Sequence, residues 1–336
     1  MESVNIKKLA SILNISISTV SKALKDSHDI SKETKERVVA LANELNYQPN
    51  PHASSLRKAK SKTIAVIIPE IANNYFSLAI NGIESIAQEK GYHVLIYLTH
   101  ESYLKEVALM RLLHSGRVDG ILISLSSTTT DYFHIRDVQQ KGLPVVFFDR
   151  VCENFNTVSI TTDDYESAFK ATKHLIDQGC KKIAHLMISK NLSIGDKRLK
   201  GYLKALDEAH LPIDESMIIH CTNDEDADFK LIKNLLQEIK PDGIFAAVER
   251  YAISAYEACK QMNISIPKEV KIISFSNLQT ASLLNPSLTT ITQPAFEIGR
   301  QAATILFRAL EEKRYQLQNE KIVYKSTLIE RESTAK

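Results

Sequence analysis

Asn5-Ile-Lys-Lys-Leu-Ala-Ser-Ile-Leu-Asn14, Ser16-Ile-Ser-Thr-Val-Ser-Lys-Ala-Leu-Lys25 and Ser31-Lys-Glu-Thr-Lys-Glu-Arg-Val-Val-Ala-Leu-Ala-Asn-Glu-Leu45 are three short runs, each opened by a side chain that can cap a helix. Their apolar residues recur at helical spacing. Ile6, Leu9, Ala10 and Leu13 make one stripe, Val20, Ala23 and Leu24 a second, and Val38, Val39, Ala42 and Leu45 a third. Together they predict a small three-helix core. The second helix turns Ile17, Ser18, Ser21 and Lys22 outward, a face of short side chains and one cation. Short polar residues at a helix N-terminus let the backbone approach a groove, where Ser or Thr can bond base edges or phosphate and Lys can reach guanine. The pattern reads as a helix-turn-helix. A three-helix protein-interaction module is the alternative this stretch leaves open.

Behind the third helix, Tyr47-Gln-Pro-Asn50 leads into Pro51 and the small-residue run His52-Ala-Ser-Ser-Leu56, then Arg57, Lys58, Lys60 and Lys62. The segment is too polar and proline-punctuated to fold alone and reads as a linker. Residues 1–62 carry eleven Lys or Arg against six Asp or Glu, a surplus of five hidden by the net charge of +2 over 336 residues. A basic end beside that helical pattern points to nucleic acid.

With 44% apolar and 24% charged residues, the chain is expected to be globular and long enough for two or three domains. Cys152, Cys180, Cys221 and Cys259 lie far apart, without zinc-ligand or redox spacing, and are expected to be reduced thiols in a reducing compartment. The N-terminus lacks a signal-peptide pattern, and no apolar run approaches the roughly 18 residues of a membrane helix. A cytoplasmic protein without metal or cofactor is the expectation.

From residue 62 onward, short apolar runs alternate with amphipathic helical patterns. Strands are predicted at Thr63–Ile68, His93–Leu98, Gly120–Ser124, Val145–Phe148, Lys182–Ile188, Gly243–Val248 and Val270–Phe275, and helices at Phe76–Lys90, Tyr165–Gln178 and Lys197–His210. This is an α/β pattern of parallel sheets, whose ligands sit beyond the carboxyl ends of the strands. No glycine-rich phosphate loop follows the first strand, where Pro69-Glu-Ile-Ala-Asn73 stands. No nucleophile elbow or metal-spaced histidine cluster appears either, so an α/β enzyme is disfavoured. Asp163-Asp164 at a helix start reads as a pair of caps facing the positive dipole end.

The runs Val4–Ala10, Ile15–Leu24, Ile30–Val38 and Leu45–Asn50 resemble the lactose-repressor/galactose-repressor (LacI/GalR) family of bacterial regulators. The resemblance resumes at Asn73-Asn-Tyr-Phe76, Arg117-Val-Asp-Gly-Ile-Leu122, Pro144-Val-Val-Phe-Phe-Asp-Arg150, Arg198-Leu-Lys-Gly-Tyr202, Asn285-Pro-Ser-Leu-Thr-Thr290 and Arg331-Glu-Ser-Thr334. It implies an all-α helix-turn-helix head over 1–48, a hinge over 49–61, and a periplasmic-binding-protein-like core of two Rossmann-like lobes. The first lobe would cover 62–161 and 292–321, the second 162–291 and 322–336. It also implies a homodimer on double-stranded DNA with a pseudo-palindromic operator, controlled by a small-molecule effector such as a sugar or sugar derivative. Ile17, Ser18 and Lys22 would read bases, and Ser16, Thr19, Ser21, Asn46 and Tyr47 would help to hold phosphate or the fold. Asn50, Ala53 and Leu56 complete the DNA-facing set, Leu56 as a wedge in the minor groove. Ser54 and Ser55 depart from an Arg and a small residue common in relatives.

The same resemblance implies an effector cleft of Asn73, Tyr75, Phe76, Ser124, Ser126, Asp149 and Arg150, faced by Arg198, Glu249, Ser276 and Gln293. Planar donors and carboxylates meet hydroxyls bidentately, and aromatic faces cover a ring. An exposed helical Arg bonded to a nearby carboxylate is the plainer reading of Arg198. Val248-Glu249 stands where many relatives have Asn-Asp, and Ser276 where they have Asp, so the effector of familiar members does not transfer. A solute-binding protein shares such a core but has no use for a basic helical head.

Overall fold

A computed structural model of the protein describes residues 5–47, 60–113, 115–189, 191–222, 224–312 and 314–335. The chain divides into two compact units, Met1–Ser61 and Lys62–Lys336.

In the first unit, α1 (Ile6–Leu13), α2 (Ile17–Ala23) and α3 (Lys32–Glu44) each begin at the expected cap. Asn5 Oδ1 accepts from the Lys8 amide at 3.0 Å, Ser16 Oγ from Thr19 at 3.0 Å and Ser31 Oγ from Thr34 at 3.3 Å. Each bond satisfies an amide that the helix leaves without a partner. Leu9, Ala10, Val20, Ala23, Val38 and Ala42 form the core, with Leu45 and Tyr47 packed against it. Val39, read as inward, is 44% exposed. One residue round the helix from Val38, it points about 100° away from the core, and helical geometry overrides its apolar character.

The second unit holds two six-stranded sheets. In the first, β1 (Thr63–Ile68), β2 (His93–Leu98), β3 (Gly120–Ile123), β4 (Val145–Phe148), β5 (Ser159–Thr162) and β11 (Lys321–Tyr324) pair in the order β11-β5-β4-β3-β1-β2, all parallel. In the second, β6 (Ile183–Met187), β7 (Ile218–His220), β8 (Gly243–Ala246), β9 (Lys271–Phe275), β10 (Thr289–Thr292) and β12 (Thr327–Ile329) pair as β12-β10-β9-β8-β6-β7, with only β12 antiparallel. Apolar clusters lie on both faces of each sheet, as crossover helices require.

The expected lobe boundary at 321/322 is corrected. It would cut β11, whose Lys321–Tyr324 lie in register with Ser159–Thr162 in the first sheet. β5 likewise carries the first lobe through Thr162, and β10 keeps Thr292 in the second. The three crossings therefore fall after Thr162, after Thr292 and after Tyr324.

In the first lobe, α4 (Asn74–Glu89) packs on α11 (Ala295–Glu311) through two glycines. A Cβ on Gly82 would overlap the Phe296 carbonyl oxygen, and one on Gly299 the Ala79 carbonyl oxygen. Backbone thus lies where side chains would normally separate two helices. Gly299→Ala is expected to lower unfolding stability by about 3 kcal/mol, the upper range for overpacking, despite Ala's better helix propensity. Urea unfolding of the full chain measures this, and a neutral or stabilising result would contradict the close approach.

Candidate functional site

On α2 the serine cap is part of a hydroxyl cluster: Ser16 Oγ lies 2.7 Å from Ser18 Oγ and 2.8 Å from Thr19 Oγ1. Ile17, Ser18 and Lys22 are exposed, with Ser21 partly so. Lys22 Nζ sits 3.1 Å from Asp29 Oδ2, an exposed pair worth no more than about 1 kcal/mol and readily exchanged for a phosphate or base edge. Tyr47 donates its amide to Ala42 and is half-buried against the head core, so part of its role is structural. Asn50, Ala53 and Leu56 lie outside the described residues.

The second candidate site opens between the two lobes, at the carboxyl ends of the strands. A cavity of about 590 Å³ is lined by Asn73 and Arg150 from the first lobe and by Val248, Glu249, Arg250 and Tyr251 from the second, among others. Its volume suits a small sugar-sized ligand. Asn73 caps α4, accepting from the Tyr75 and Phe76 amides and donating to Glu70 at 3.0 Å. Phe76 is buried edge-on against Tyr75 and Phe148. The Tyr75 hydroxyl is buried without a hydrogen-bond partner among the described residues.

After β4, Asp149 adopts φ of 61°, a left-handed conformation that turns the chain sharply at the sheet end. Ser124 Oγ donates to Asp149 at 3.3 Å and accepts from the Arg150 amide. Burial pushes the Asp149 carboxyl up to about 6, against the pull of Arg150 and Arg198. Arg150 Nη1 meets Glu101 Oε1 at 2.7 Å, and its guanidinium lies 5.8 Å from the Phe76 ring centre. Ser126 serves the loop, bonding Thr99 through its hydroxyl and Glu106 through its amide.

Across the cleft, α7 (Asp164–Asp177) and α8 (Ser193–Glu208) bring Asp164 against Arg198. Both are 1–2% exposed. Nε and Nη2 of Arg198 converge on Asp164 Oδ1 at 2.8 and 2.7 Å, Nη1 donates to the Ala247 carbonyl, and the guanidinium stacks 3.8 Å from the Phe275 ring centre. Arg198 is thus carboxylate-bonded but deeply buried, whereas an exposed helix position had been its plainer reading. The capping reading of Asp163-Asp164 is corrected as well, since neither side chain caps α7. Asp163 accepts from Ser167 and from the Ser326 amide, while Asp164 keeps Oδ2 without a hydrogen-bond partner.

Glu249, at the start of α10 (Glu249–Met262), reaches over to the first lobe. One oxygen accepts from Asn74 Nδ2 at 2.8 Å, and the other accepts from Ser276 Oγ at 2.8 Å and the Asn277 amide at 3.2 Å. Gln293 staples a crossing, donating to Thr162 at 3.0 Å and accepting from Asn277. The structure therefore brings Asn73, Arg150 and Glu249 to the cavity. Tyr75, Asp149 and Arg198 form a buried cluster with Asp164; burial raises the Tyr75 hydroxyl, the Asp149 and Asp164 charges push it further up, and Arg198 pulls it back. Ser126, Ser276 and Gln293 are engaged in structural bonds. Sequence reasoning missed Glu101, whose cue is backbone strain that no sequence displays, and Asp164, whose cue was its place beside a cap position.

Residues 5–50 match the model for bacterial regulatory proteins of the lacI family, and residues 61–331 that for periplasmic binding proteins and the sugar-binding domain of the LacI family. The chain belongs to the LacI family. A ribose operon repressor of Halalkalibacterium halodurans is 30% identical over 96% of each chain. A periplasmic binding protein/LacI transcriptional regulator of Alkaliphilus metalliredigens, solved with D-xylulofuranose, is 30% identical over 82% of this chain and all of that one, with a TM-score of 0.71. A lac repressor dimer bound to operator and an anti-inducer shares the fold over the full length of both chains at 22% identity and a TM-score of 0.86. This LacI-family chain is a DNA-binding transcriptional regulator, neither an enzyme nor a solute-binding protein alone. No described helix is long and apolar enough to cross a membrane.

A buried acid raised to about 6 favours the fold while protonated, and that contribution is lost as pH rises from its ordinary value through 6. Asp149→Asn keeps the Ser124 bond and tolerates the left-handed backbone. It should raise stability by about 2 kcal/mol above pH 7 and change little near pH 4. Thermal unfolding across that range measures the difference, and equal effects at both ends would refute the cause given.

Proposed function

We propose that this LacI-family regulator is a homodimeric repressor on a pseudo-palindromic operator, working at the nucleoid of the bacterial cytoplasm, and that a sugar or sugar derivative in the interlobe cavity controls its grip. One observation carries the effector reading. At the rim of the cavity, Glu249 of one lobe accepts from Asn74 of the other, so a ligand that engages either residue alters how the lobes are held. Among the lining residues, Arg150 carries an Nε without a hydrogen-bond partner among the described residues, a donor suited to a hydroxyl group. Sugar chemistry is further supported by the ribose operon repressor and the D-xylulofuranose complex among the relatives.

A single short recognition helix reads too few bases, and two-fold symmetry matches two half-sites. The first lobe offers an interface: β2 is a sheet edge whose Leu95 and Ile96 are exposed. In the second lobe Leu283 is 79% exposed. Coupling of about 1 to 3 kcal/mol between effector and operator would change operator affinity roughly 5- to 150-fold, reciprocally.

Ile17, Ser18 and Lys22 are assigned to base edges, Ser16, Thr19, Ser21 and Tyr47 to phosphate and the fold, and Leu56 to the minor groove. Lys22→Ala should weaken specific binding by about tenfold or more, as loss of one base contact does, while binding to random duplex falls much less. Fluorescence anisotropy on an inverted-repeat site from the protein's own genome and on a scrambled duplex checks this. Equal losses on both would remove Lys22 from base reading. The effector reading is tested by screening sugars for release of that operator, and a released complex with unchanged cavity occupancy would overturn it.

A further inference from the structure

We propose that Glu101 sets the ligand class of the cleft: by holding Arg150 in a buried ion pair it turns that guanidinium into a donor for uncharged effectors and makes the cavity reject phosphorylated or other anionic ones. The inference rests on the interlobe cavity being the effector site and says which chemistry that site accepts.

Glu101 and Arg150 are 10% and 4% exposed at their side chains and meet at 2.7 Å. The second Glu101 oxygen accepts from the Ser127 amide at 2.7 Å, and its carbonyl accepts from Thr128 Oγ1, so the carboxylate is locked from two sides. The backbone is bent to place it there. His100 and Glu101 are consecutive non-glycine residues in the left-handed region, with φ of 49° and 58°. Such residues persist only where surrounding contacts over-determine them, and they gather at functional positions.

Arg150 lines the cavity, and its Nε is buried without a hydrogen-bond partner among the described residues, with Asp149 Oδ2 3.8 Å away. One guanidinium is therefore flanked by two carboxylates, and its immediate surroundings carry an excess of negative charge. The other lining cation, Arg250, stands 3.6 Å from Glu70. Glu225, Asp226 and Glu257 add further negative charge to the lining. A neutral hydroxyl can accept from Arg150 Nε in this field, whereas a phosphate would meet the carboxylates before finding an uncompensated cation.

The test uses full-length protein and inorganic phosphate as the probe, with chloride at equal ionic strength as the reference, read by thermal shift and calorimetry. The parent should respond to phosphate no more than to chloride. Glu101→Gln should gain roughly tenfold or more in apparent phosphate affinity, the scale of one unmasked charged donor, and Glu101→Gln/Arg150→Gln should lose that gain. A purely structural role for Glu101 would move stability without moving the phosphate response. The proposal is overturned if the parent binds phosphate as well as Glu101→Gln does, if Glu101→Gln gains nothing, or if the gain survives removal of Arg150. Should Glu101→Gln not fold, Glu101→Asp keeps the charge but draws it back from Arg150. It should show a smaller gain, and none at all would overturn the idea. The underlying reading fails in a different way: a neutral sugar that releases the operator would stabilise Ala72→Trp, in which an indole fills the cavity, as well as it does the parent.

Discussion

Three passages of chain join the two lobes, and hydrogen bonds among them govern how one lobe can move against the other. Asp163 donates its amide to the Tyr324 carbonyl at 2.9 Å and accepts from the Ser326 amide at 2.8 Å, binding the first crossing to the third. Gln293 ties the second crossing to Thr162 of the first through its side chain and to Asn277 of the second lobe through its carbonyl. All these partners are backbone groups or uncharged side chains except Asp163, so the knot does not loosen with salt as a surface ion pair would. Lobes joined in this way have a hinge line, and relative motion becomes rotation about it. The Asn74–Glu249 contact bridges the same two lobes, and Glu249 is itself tied to this knot through Asn277, which donates to Gln293.

Ionic groups set deeper in the cleft contribute less to stability than their closeness suggests. A buried pair such as Asp164 with Arg198 gains in attraction roughly what it lost in hydration, and well-packed apolar residues in its place are often equally stable or better. Losing one partner alone costs about 3–5 kcal/mol, because the other charge is left buried and unpaired. Stability is therefore a poor reason for Asp149, Arg150, Asp164 and Arg198 to be where they are. A ligand site is a better one, since Asp164 Oδ2 and Arg150 Nε retain bonding capacity after their internal partners are counted.

What could be read from sequence was mostly what neighbours in sequence decide. Asn5, Ser16 and Ser31 were legible as caps because a cap and the amide it serves are three residues apart. The strands β1, β3, β4, β6, β8 and β9 announced themselves as apolar runs, being buried on both faces, and β2 as an apolar run although it is an exposed edge strand. By contrast, β5 is Ser-Ile-Thr-Thr, and its hydroxyl-bearing residues are buried by pairing with β4 and β11, the latter arriving about 160 residues later. The lobe boundary was misplaced for the same reason, since nothing local says which sheet β11 joins.

The cleft shows the same division more sharply. Family resemblance singled out Arg150 and Arg198 but could not state what either one is bonded to, and the bonding decides what they can do. Glu101 lies 49 residues from Arg150 and Asp164 lies 34 from Arg198, separations at which no local pattern survives. An arginine quoted alone suggests a site for anions. The same arginine with a carboxylate locked on one nitrogen and a second nearby is electrostatically the reverse, and its directional N–H is what remains to be offered. On the proposed reading, motif residues mark out the binding site, and the counter-ions brought in by the fold set the charge of the ligand it admits.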